Sequence, residues 1–166
     1  MVVWVKGVMM AEKQICISRA NITDVAEILE LQRLAYQSEA VLYNDWSIPP
    51  LKQTLENMQH DLQTMTVLKA CEDGRIVGSV RGALADGCCQ VGRLIVHPDF
   101  QRRGIGSALL RALEAELPQA TCFELFTGSR SEANIRLYQR QGYRIFAQKR
   151  LSDAVELVYL EKTSER

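Results

Sequence analysis

The residues best suited to holding an anion are two glycines at the start of an amphipathic helix. The run Gln-Arg-Arg-Gly-Ile-Gly over residues 101–106 follows the apolar segment Leu-Ile-Val over residues 94–96. The first backbone N–H groups of a helix lack intrahelical acceptors, and together with the helix dipole they attract negative charge. Glycine also lets a phosphate approach closely, because it has no Cβ. The pattern predicts a pyrophosphate site, and an ordinary turn is the alternative.

The turn differs from the two common nucleotide-binding motifs. The dinucleotide fingerprint needs a third glycine where this chain has Leu109, and a phosphate loop needs a lysine before Ser107. Arg102 and Arg103 add positive charge at the end of the helix where the dipole disfavours it. A bound anion would offset that conflict, so the arginines favour the pyrophosphate interpretation.

A second polar group lies on the helix predicted between Ser131, a suitable N-cap, and Gly142, a suitable stop. Asn134 and Tyr138 are four residues apart, which places both side chains on one face of that helix. The Tyr138 phenol can donate a proton, and Asn134 can hold a polar ligand beside it. The alternative is that Tyr138 is a core residue of an amphipathic helix.

In this order and spacing, the segments resemble the GCN5-related N-acetyltransferase (GNAT) superfamily. The similarity covers about residues 14–162 and is strongest over residues 91–143. Three motifs carry it: the turn at residues 101–106, a Leu-x-Val strand before His-Pro, and a Leu-Tyr pair before Gly-Tyr. Besides those of the turn, the matching residues are Leu94, Val96, His97, Pro98, Leu137, Tyr138, Gly142 and Tyr143.

The resemblance implies the fold and the domain organisation. It implies a mixed α/β (α+β) fold of the GNAT type, in which a splayed, mostly antiparallel mixed sheet of about six to seven strands is flanked by about four helices. Residues 14–166 are then a single N-acetyltransferase domain, and residues 1–13 an N-terminal extension. We expect this extension to be disordered or a packed arm. If translation starts at Met9 or Met10 instead, the residues before that start do not belong to the native chain.

The resemblance also implies acetyl-CoA as the co-substrate, without a metal. Its pantetheine would run along the strand before the turn as an added β-strand, and its pyrophosphate would rest on the turn. The residues assigned to this site are Leu94, Ile95, Val96, Gln101, Arg102, Arg103, Gly104, Ile105, Gly106, Ser107, Ser131, Asn134 and Tyr138.

The implied reaction is acyl transfer, in which a neutral amine attacks the thioester and Tyr138 protonates the departing sulfur. Many family members carry Asn seven positions before this tyrosine, where the present chain has Ser131. Some also carry a Glu base just before the Leu-x-Val strand, where the present chain reads Val-Gly-Arg over residues 91–93. We therefore predict Glu39 as the base or substrate anchor, with Glu124 as its rival.

The acceptor is predicted to bind at the loop between the first two helices. Acidic and aromatic residues there suit a cationic amine through ion pairing and cation–π contact, and a solvated loop with packing aromatics is the alternative. The candidate residues are Tyr36, Glu39, Tyr43, Asp45 and Trp46. The favoured function is acetylation of the primary amine of a small molecule in a ternary complex. The alternatives are a protein N-terminal or lysine acetyltransferase and a non-catalytic CoA-binding sensor.

The composition agrees with an enzyme of one domain. Among 166 residues, twenty basic side chains balance twenty acidic ones, which argues against nucleic-acid or membrane partners. Five cysteines without a Cys-x-x-Cys motif, together with two histidines, offer little for a zinc site. The odd cysteine count favours a reducing cytoplasm, and three cysteines in strand-like runs are expected to be buried thiols. The resemblance leaves a homodimer open.

Apolar periodicity and turn residues predict the order of the elements. A loop is predicted through Trp46, between the first two helices. Strands are predicted at residues 14–19, 64–71, 75–84, 88–96, 121–127, 144–149 and 155–161, and helices at residues 23–37, from Pro49 past Met58, and at residues 105–117 and 131–142.

Overall fold

The chain forms one large sheet and one small sheet. The computed structural model describes the backbone of residues 2–5, 8–11 and 14–164, and the side chains of residues 14–164. Strands β1 (Val2–Val5) and β2 (Val8–Ala11) pair antiparallel as the small sheet. The strands of the large sheet are β3 (Cys16–Arg19), β4 (Thr66–Glu72), β5 (Arg75–Ala85), β6 (Cys88–Val96), β7 (Cys122–Gly128), β8 (Arg144–Arg150) and β9 (Glu156–Thr163).

The predicted N-terminal extension is described only in part. Its residues 2–5 and 8–11 form the small sheet, and residues 1, 6–7 and 12–13 lie outside the described residues. The alternatives of a disordered segment or a packed arm therefore stay predictions.

The large sheet is mixed and splayed. Its strand order is β3-β4-β5-β6-β7-β9-β8, and every neighbouring pair is antiparallel except β6 and β7. The parallel pairing of β6 with β7 joins only residues 88–90 to residues 122–124. Beyond them both strands continue, and no ladder pairs join the two strands in the described chain. The predicted mostly antiparallel, splayed sheet is confirmed.

Helices cover both faces of the large sheet. One apolar cluster, which includes Ile28 and Met58, lies between the sheet and the first helices, and a larger one, which includes Leu109 and Leu113, lies on the other face. Full burial of such a side chain stabilises the fold by about 1.5–3 kcal/mol. No helix in the described part of the chain has the length and apolar character to cross a membrane. The helices are α1 (Val25–Ala35), α2 (Gln37–Tyr43), α3 (Pro49–Lys52), α4 (Leu55–Thr64), α5 (Ile105–Glu116) and α6 (Glu132–Arg140).

The region between α1 and α3 differs from the predicted loop, because it contains α2. Ala40 and Tyr43 are both buried and lie three residues apart, so they share the inner face of this helix. Asn44 ends α2 in the left-handed conformation, with a φ of 50°. The prediction of a loop from residue 38 to Trp46 is therefore correct only for the last residues.

The single helix predicted from Pro49 is also two helices. Gln53 adopts an extended conformation after α3, and Thr54 starts α4. The Asn57 N–H donates to Thr54 Oγ1 at 3.1 Å, and the Thr54 N–H donates to Asn57 Oδ1 at 3.3 Å. This reciprocal cap gives α4 its own N-terminus.

The cysteines differ from the expected set of free thiols. Cys88 and Cys122 are bonded to each other across the paired ends of β6 and β7, with their Cα atoms 4.7 Å apart. The expectation of thiols is therefore wrong for these two, because the parallel pairing places them directly opposite each other. Cys89 is buried, Cys71 half-buried and Cys16 exposed. Burial raises the pKa of the Cys89 thiol to about 11, so it stays protonated at neutral pH. The cytoplasmic location remains a prediction.

Candidate active site

The start of α5 leaves backbone donors free. Gly104 precedes the helix in the left-handed conformation, with a φ of 80°, which glycine adopts without strain. The first helical hydrogen bond runs from the Ala108 N–H to the Gly104 carbonyl at 3.0 Å, and the Gly104 position provides no side-chain cap. The N–H groups of Ile105, Gly106 and Ser107 therefore lack intrahelical acceptors and can bind an anion.

The two arginines of the turn have different surroundings. Arg103 donates to the buried Glu72 carboxylate at 2.7 Å and lies over the Phe100 ring, so its charge is already balanced. Arg102 is exposed in the left-handed conformation, with a φ of 63°, and Gln101 before it is extended. Arg102 has no ion-pair partner among residues 14–164, which leaves its charge available to an anion in the turn.

Strand β6 presents a free edge close to α5. Ile95 pairs with Ser79 of β5 and Val96 pairs with Gly78, so one edge of this segment is used. The other edge, along Leu94, Ile95 and Val96, lies beyond the residues that pair with β7. Its backbone groups can therefore bind an extended ligand as an added strand.

A hydrogen-bonded network ends on the Glu39 carboxylate. Ser131 Oγ donates to Glu39 Oε2 at 2.9 Å, and Asn134 Nδ2 donates to Oε1 at 3.2 Å. The Tyr43 hydroxyl accepts from the Arg130 N–H at 3.1 Å and lies 2.8 Å from Ser131 Oγ. Because the Ser131 proton is used on Glu39, Tyr43 is the donor to Ser131. The network joins α2 to the start of α6.

This network explains the N-terminus of α6. Ser131 occupies the predicted N-cap position, but its hydroxyl makes no capping bond and donates to Glu39. The capping role predicted for Ser131 is therefore wrong, whereas Gly142 follows the helix in the left-handed conformation, with a φ of 94°.

Gly128 is a residue of this network that sequence reasoning missed. A Cβ placed on Gly128 would overlap the Tyr43 hydroxyl, so only glycine lets Tyr43 reach Arg130 and Ser131. The sequence contains little signal for this role, because a glycine at the end of a strand is typical of any turn.

Tyr138 is both a core residue and a neighbour of the network. Its ring is 7% exposed and packs edge-on against Tyr143, with the ring centroids 6.1 Å apart. Burial raises the pKa of Tyr138 far above its usual range, and the nearby Tyr36 and Glu39 raise it further. The phenol is therefore neutral at physiological pH and keeps a proton to donate.

Three predicted residues lie apart from this network. Asp45 accepts from the Ser47 N–H at 2.8 Å, and its hydrogen bonds with Ser47 lower its pKa. Trp46 is 57% exposed. Glu124 lies at the paired end of β6 and β7, next to the two bonded cysteine sulfurs, which a disulfide makes unavailable as thiolate metal ligands. Of the two candidate carboxylates, Glu39 is the one whose charge raises the pKa of Tyr138.

Two arginines that the sequence did not single out line a cavity between the sheet and the first helices. Arg81 is on β5 and Arg93 on β6, and the volume of the cavity is about 390 Å³. The available signal was the presence of a charged residue within each of two largely apolar strands. The other lining residues are Pro49, Lys52, Gln53, Asn57 and Asp61.

The chain belongs to the GNAT family of acetyltransferases. The model of the acetyltransferase (GNAT) family matches residues 25–143, a range that contains the network, the free edge of β6 and the start of α5. Residues 25–143 accordingly form a domain of the acetyltransferase type.

Individual relatives are more distant. The chain is 27% identical over 121 residues to the UPF0157 protein YqkA of Bacillus subtilis (strain 168), an alignment that covers 73% of this chain and 35% of YqkA. The chain thus spans about a third of the length of that relative.

Several solved structures share the fold. The PaiA N-acetyltransferase of Thermoplasma acidophilum, in complex with coenzyme A, has a TM-score of 0.78 at 16% identity, covering 91% of this chain and 99% of its own. The ribosomal-protein-S18-alanine N-acetyltransferase of Escherichia coli has a TM-score of 0.75 at 18% identity, covering 90% and 94%. YncA of Salmonella typhimurium, with its cofactor acetyl-CoA, has a TM-score of 0.72 at 22% identity, covering 92% and 95%.

Proposed function

We propose that the protein transfers an acetyl group from acetyl-CoA to the primary amine of a small molecule, by direct attack in a ternary complex. The observation that carries this proposal is the free edge of β6 beside the uncapped start of α5. An extended pantetheine fits the first feature and a pyrophosphate fits the second. The open cavity lined by Arg81 and Arg93 has a volume of about 390 Å³, which lies within the range of small-molecule sites.

In this proposal the chain positions two substrates and moves protons between them. Acetyl-CoA supplies the activated acyl group, and the backbone of Leu94 and Val96 holds it in place. The neutral amine nitrogen bonds to the thioester carbonyl carbon, the C–S bond breaks, and the sulfur takes the proton of Tyr138. A backbone N–H near Val96 stabilises the negative charge that develops on the carbonyl oxygen.

Glu39 completes the proton balance in this proposal. Its carboxylate takes the proton that the nitrogen loses, directly or through water, and the proton returns to Tyr138 through solvent. The products are then one amide and one free thiol. Hydrogen bonds from Ser131 and Asn134 hold the carboxylate in place, and its negative charge attracts a cationic amine before that amine is deprotonated.

The proposal is tested by thiol release from acetyl-CoA with two sets of acceptors. One set contains small primary amines, and the other contains peptides with a free N-terminus or an internal lysine. We expect thiol release and acetylated product with members of the first set. Turnover of peptides alone would make the protein a protein acetyltransferase, and CoA binding without turnover of either set would make it a sensor.

A further inference from the structure

A β-bulge places Arg93 on the side of the sheet that α1 and α4 cover. The register between β5 and β6 shifts between Ser79 and Arg81, so that one residue of β5 faces two residues of β6, Arg93 and Leu94. Arg93 adopts the left-handed conformation, with a φ of 49°, which is unfavourable for a residue with a side chain. As a result, Arg93 lines the same space as Arg81 instead of alternating to the opposite face.

The charges that line this cavity are unbalanced. Among its described lining residues, Lys52, Arg81 and Arg93 are cationic and Asp61 is acidic. Asp61 forms an ion pair with Arg81 and also accepts from Gln53 Nε2 at 2.6 Å. The negative charge of Asp61 is therefore balanced by Arg81, and the cavity retains an excess of positive charge.

Arg93 has no carboxylate partner among residues 14–164. Its Nε is buried and has no hydrogen-bond partner in the described part of the structure, and its charge interacts with the Tyr36 hydroxyl. Burial and the repulsion from Arg93 lower the pKa of Arg81. Two neighbouring guanidinium groups and an unused buried donor are costly unless an anion binds between them.

The position of Arg93 connects the cavity to the reaction site. Arg93 directly precedes Leu94, the first residue of the free edge assigned to the pantetheine. Tyr36 interacts electrostatically with both Arg93 and Glu39. Arg93 thus lies where the lining of the cavity meets the free edge of β6.

We infer that the acceptor is a primary amine that also carries an oxyanion, a carboxylate or a phosphate, and that Arg93 with Arg81 binds this oxyanion in the cavity. The inference rests on the proposed function and narrows its acceptor class. The planar guanidinium matches both kinds of oxyanion, because it donates two parallel hydrogen bonds. Lys52 at the exposed rim adds a third positive charge.

Matched acceptors test this inference in the full-length protein at saturating acetyl-CoA. Three arms are compared by thiol release: α-amino acids and short aminoalkanoates, aminoalkyl phosphates of the same chain lengths, and the neutral amides of the amino acids. We expect kcat/KM to be about tenfold or more higher for one of the anionic arms, because a hydrogen-bonded charge pair contributes that much discrimination. The better of the two anionic arms identifies the oxyanion as a carboxylate or a phosphate.

The variant Arg93→Gln should remove this preference. We expect KM for the anionic amine to rise about tenfold or more, while kcat/KM for the neutral amide changes little. Calorimetry with CoA checks that the variant folds and binds the donor. Should it fail to fold, the exposed rim variant Lys52→Gln replaces it, with a smaller rise in the same KM. Arg150→Gln is the matched control, because it removes an arginine from the exposed strand β8.

The possible failures are distinguishable. If neutral amines are acetylated as well as anionic ones, or if neither cavity variant changes the preference, this inference is overturned and the proposed function stands. Arg81 then serves only to hold α4 against the sheet through Asp61. If no amine of any arm releases thiol, the proposed function fails and the inference fails with it.

Discussion

Tyr138 and Glu39 interact electrostatically, yet they lie in different surroundings. The Tyr138 phenol is buried in the apolar cluster beneath α5, and this burial is the main reason for its raised pKa. The Glu39 carboxylate is half-buried and accepts hydrogen bonds from Ser131 and Asn134. In the proposed reaction these two groups supply the proton donor and the proton acceptor that acyl transfer to an amine requires.

Tyr138→Phe tests the proton donor. We expect kcat to fall about a hundredfold or more, because general acid catalysis contributes at least that much, while the affinity for acetyl-CoA stays nearly the same. Steady-state kinetics at saturating amine and calorimetry with acetyl-CoA measure the two effects. Tyr159→Phe, on strand β9 between β7 and β8, is the control. An unchanged kcat in the Tyr138 variant would remove this residue from the acid role.

Glu39→Gln tests the proton acceptor. The amide keeps one oxygen for the bonds from Ser131 and Asn134 but can neither take a proton nor attract a cation. We expect kcat/KM for the amine to fall about a hundredfold. Glu124→Gln, at the paired end of β6 and β7, should retain activity. A larger loss in the Glu124 variant than in the Glu39 variant would exchange their roles.

At the scale of elements, the site depends on how α2 meets the end of β7. The Tyr43 ring lies against the backbone of Gly128, and this close approach holds Glu39 near the start of α6 through Ser131. A side chain at Gly128 would separate the two elements. The position of the carboxylate is therefore set by a backbone contact outside the catalytic residues.

Gly128→Ala is expected to destabilise the fold by about 1–3 kcal/mol, since overpacking forces the Tyr43 ring to move. Urea denaturation measures this change, and kcat/KM for the amine should fall as Glu39 loses its support. In a Tyr43→Ala background, where the clash is absent, adding Gly128→Ala should change the stability little. A fully stable and active Gly128→Ala protein would contradict this account of the contact.

Elements with strong local signals were predictable from the sequence, and those that depend on tertiary contacts were not. The apolar stripe and the glycine turn predicted α5 and its free donors, and alternation predicted the strands of the sheet. Helix α2 was missed because its seven residues bury few side chains, and most of its stability comes from packing. The bulge at Arg93 has no local signature, since its register is set by β5.

At the scale of the whole molecule, strands β6 and β7 are paired at one end, here called the closed end, and unpaired at the other, here called the open end. The Cys88–Cys122 bond lies at the closed end, and the free edge of β6 lies at the open end. The sequence predicted the individual strands and the chemistry of Tyr138, but the pairings across the molecule required the fold. The fold brings Cys88 to Cys122, and it brings Arg81 and Arg93 to one cavity. Neither proximity is visible as a sequence motif.

Thiol counting tests the closed end. Denatured, unreduced protein should react with an alkylating reagent at the three free cysteines, and reduced protein at all five. In the native state we expect labelling of the exposed Cys16 and none at Cys89, because burial raises the pKa of its thiol to about 11. Mass spectrometry gives the counts. Five labelled cysteines in the denatured, unreduced protein would show that the bond is absent.

Calorimetric titration with CoA tests the central claim, that free donors at the start of α5 hold the diphosphate of the donor substrate. Gly104→Val is compared with Gly74→Val, because both glycines have positive φ and open space around them, while Gly74 lies in the β4–β5 turn. We predict binding to the unmodified chain at roughly 1 μM to 1 mM, weakened about tenfold or more by Gly104→Val and unaffected by Gly74→Val. An absence of binding heat, or equal affinity in both variants, would contradict the claim.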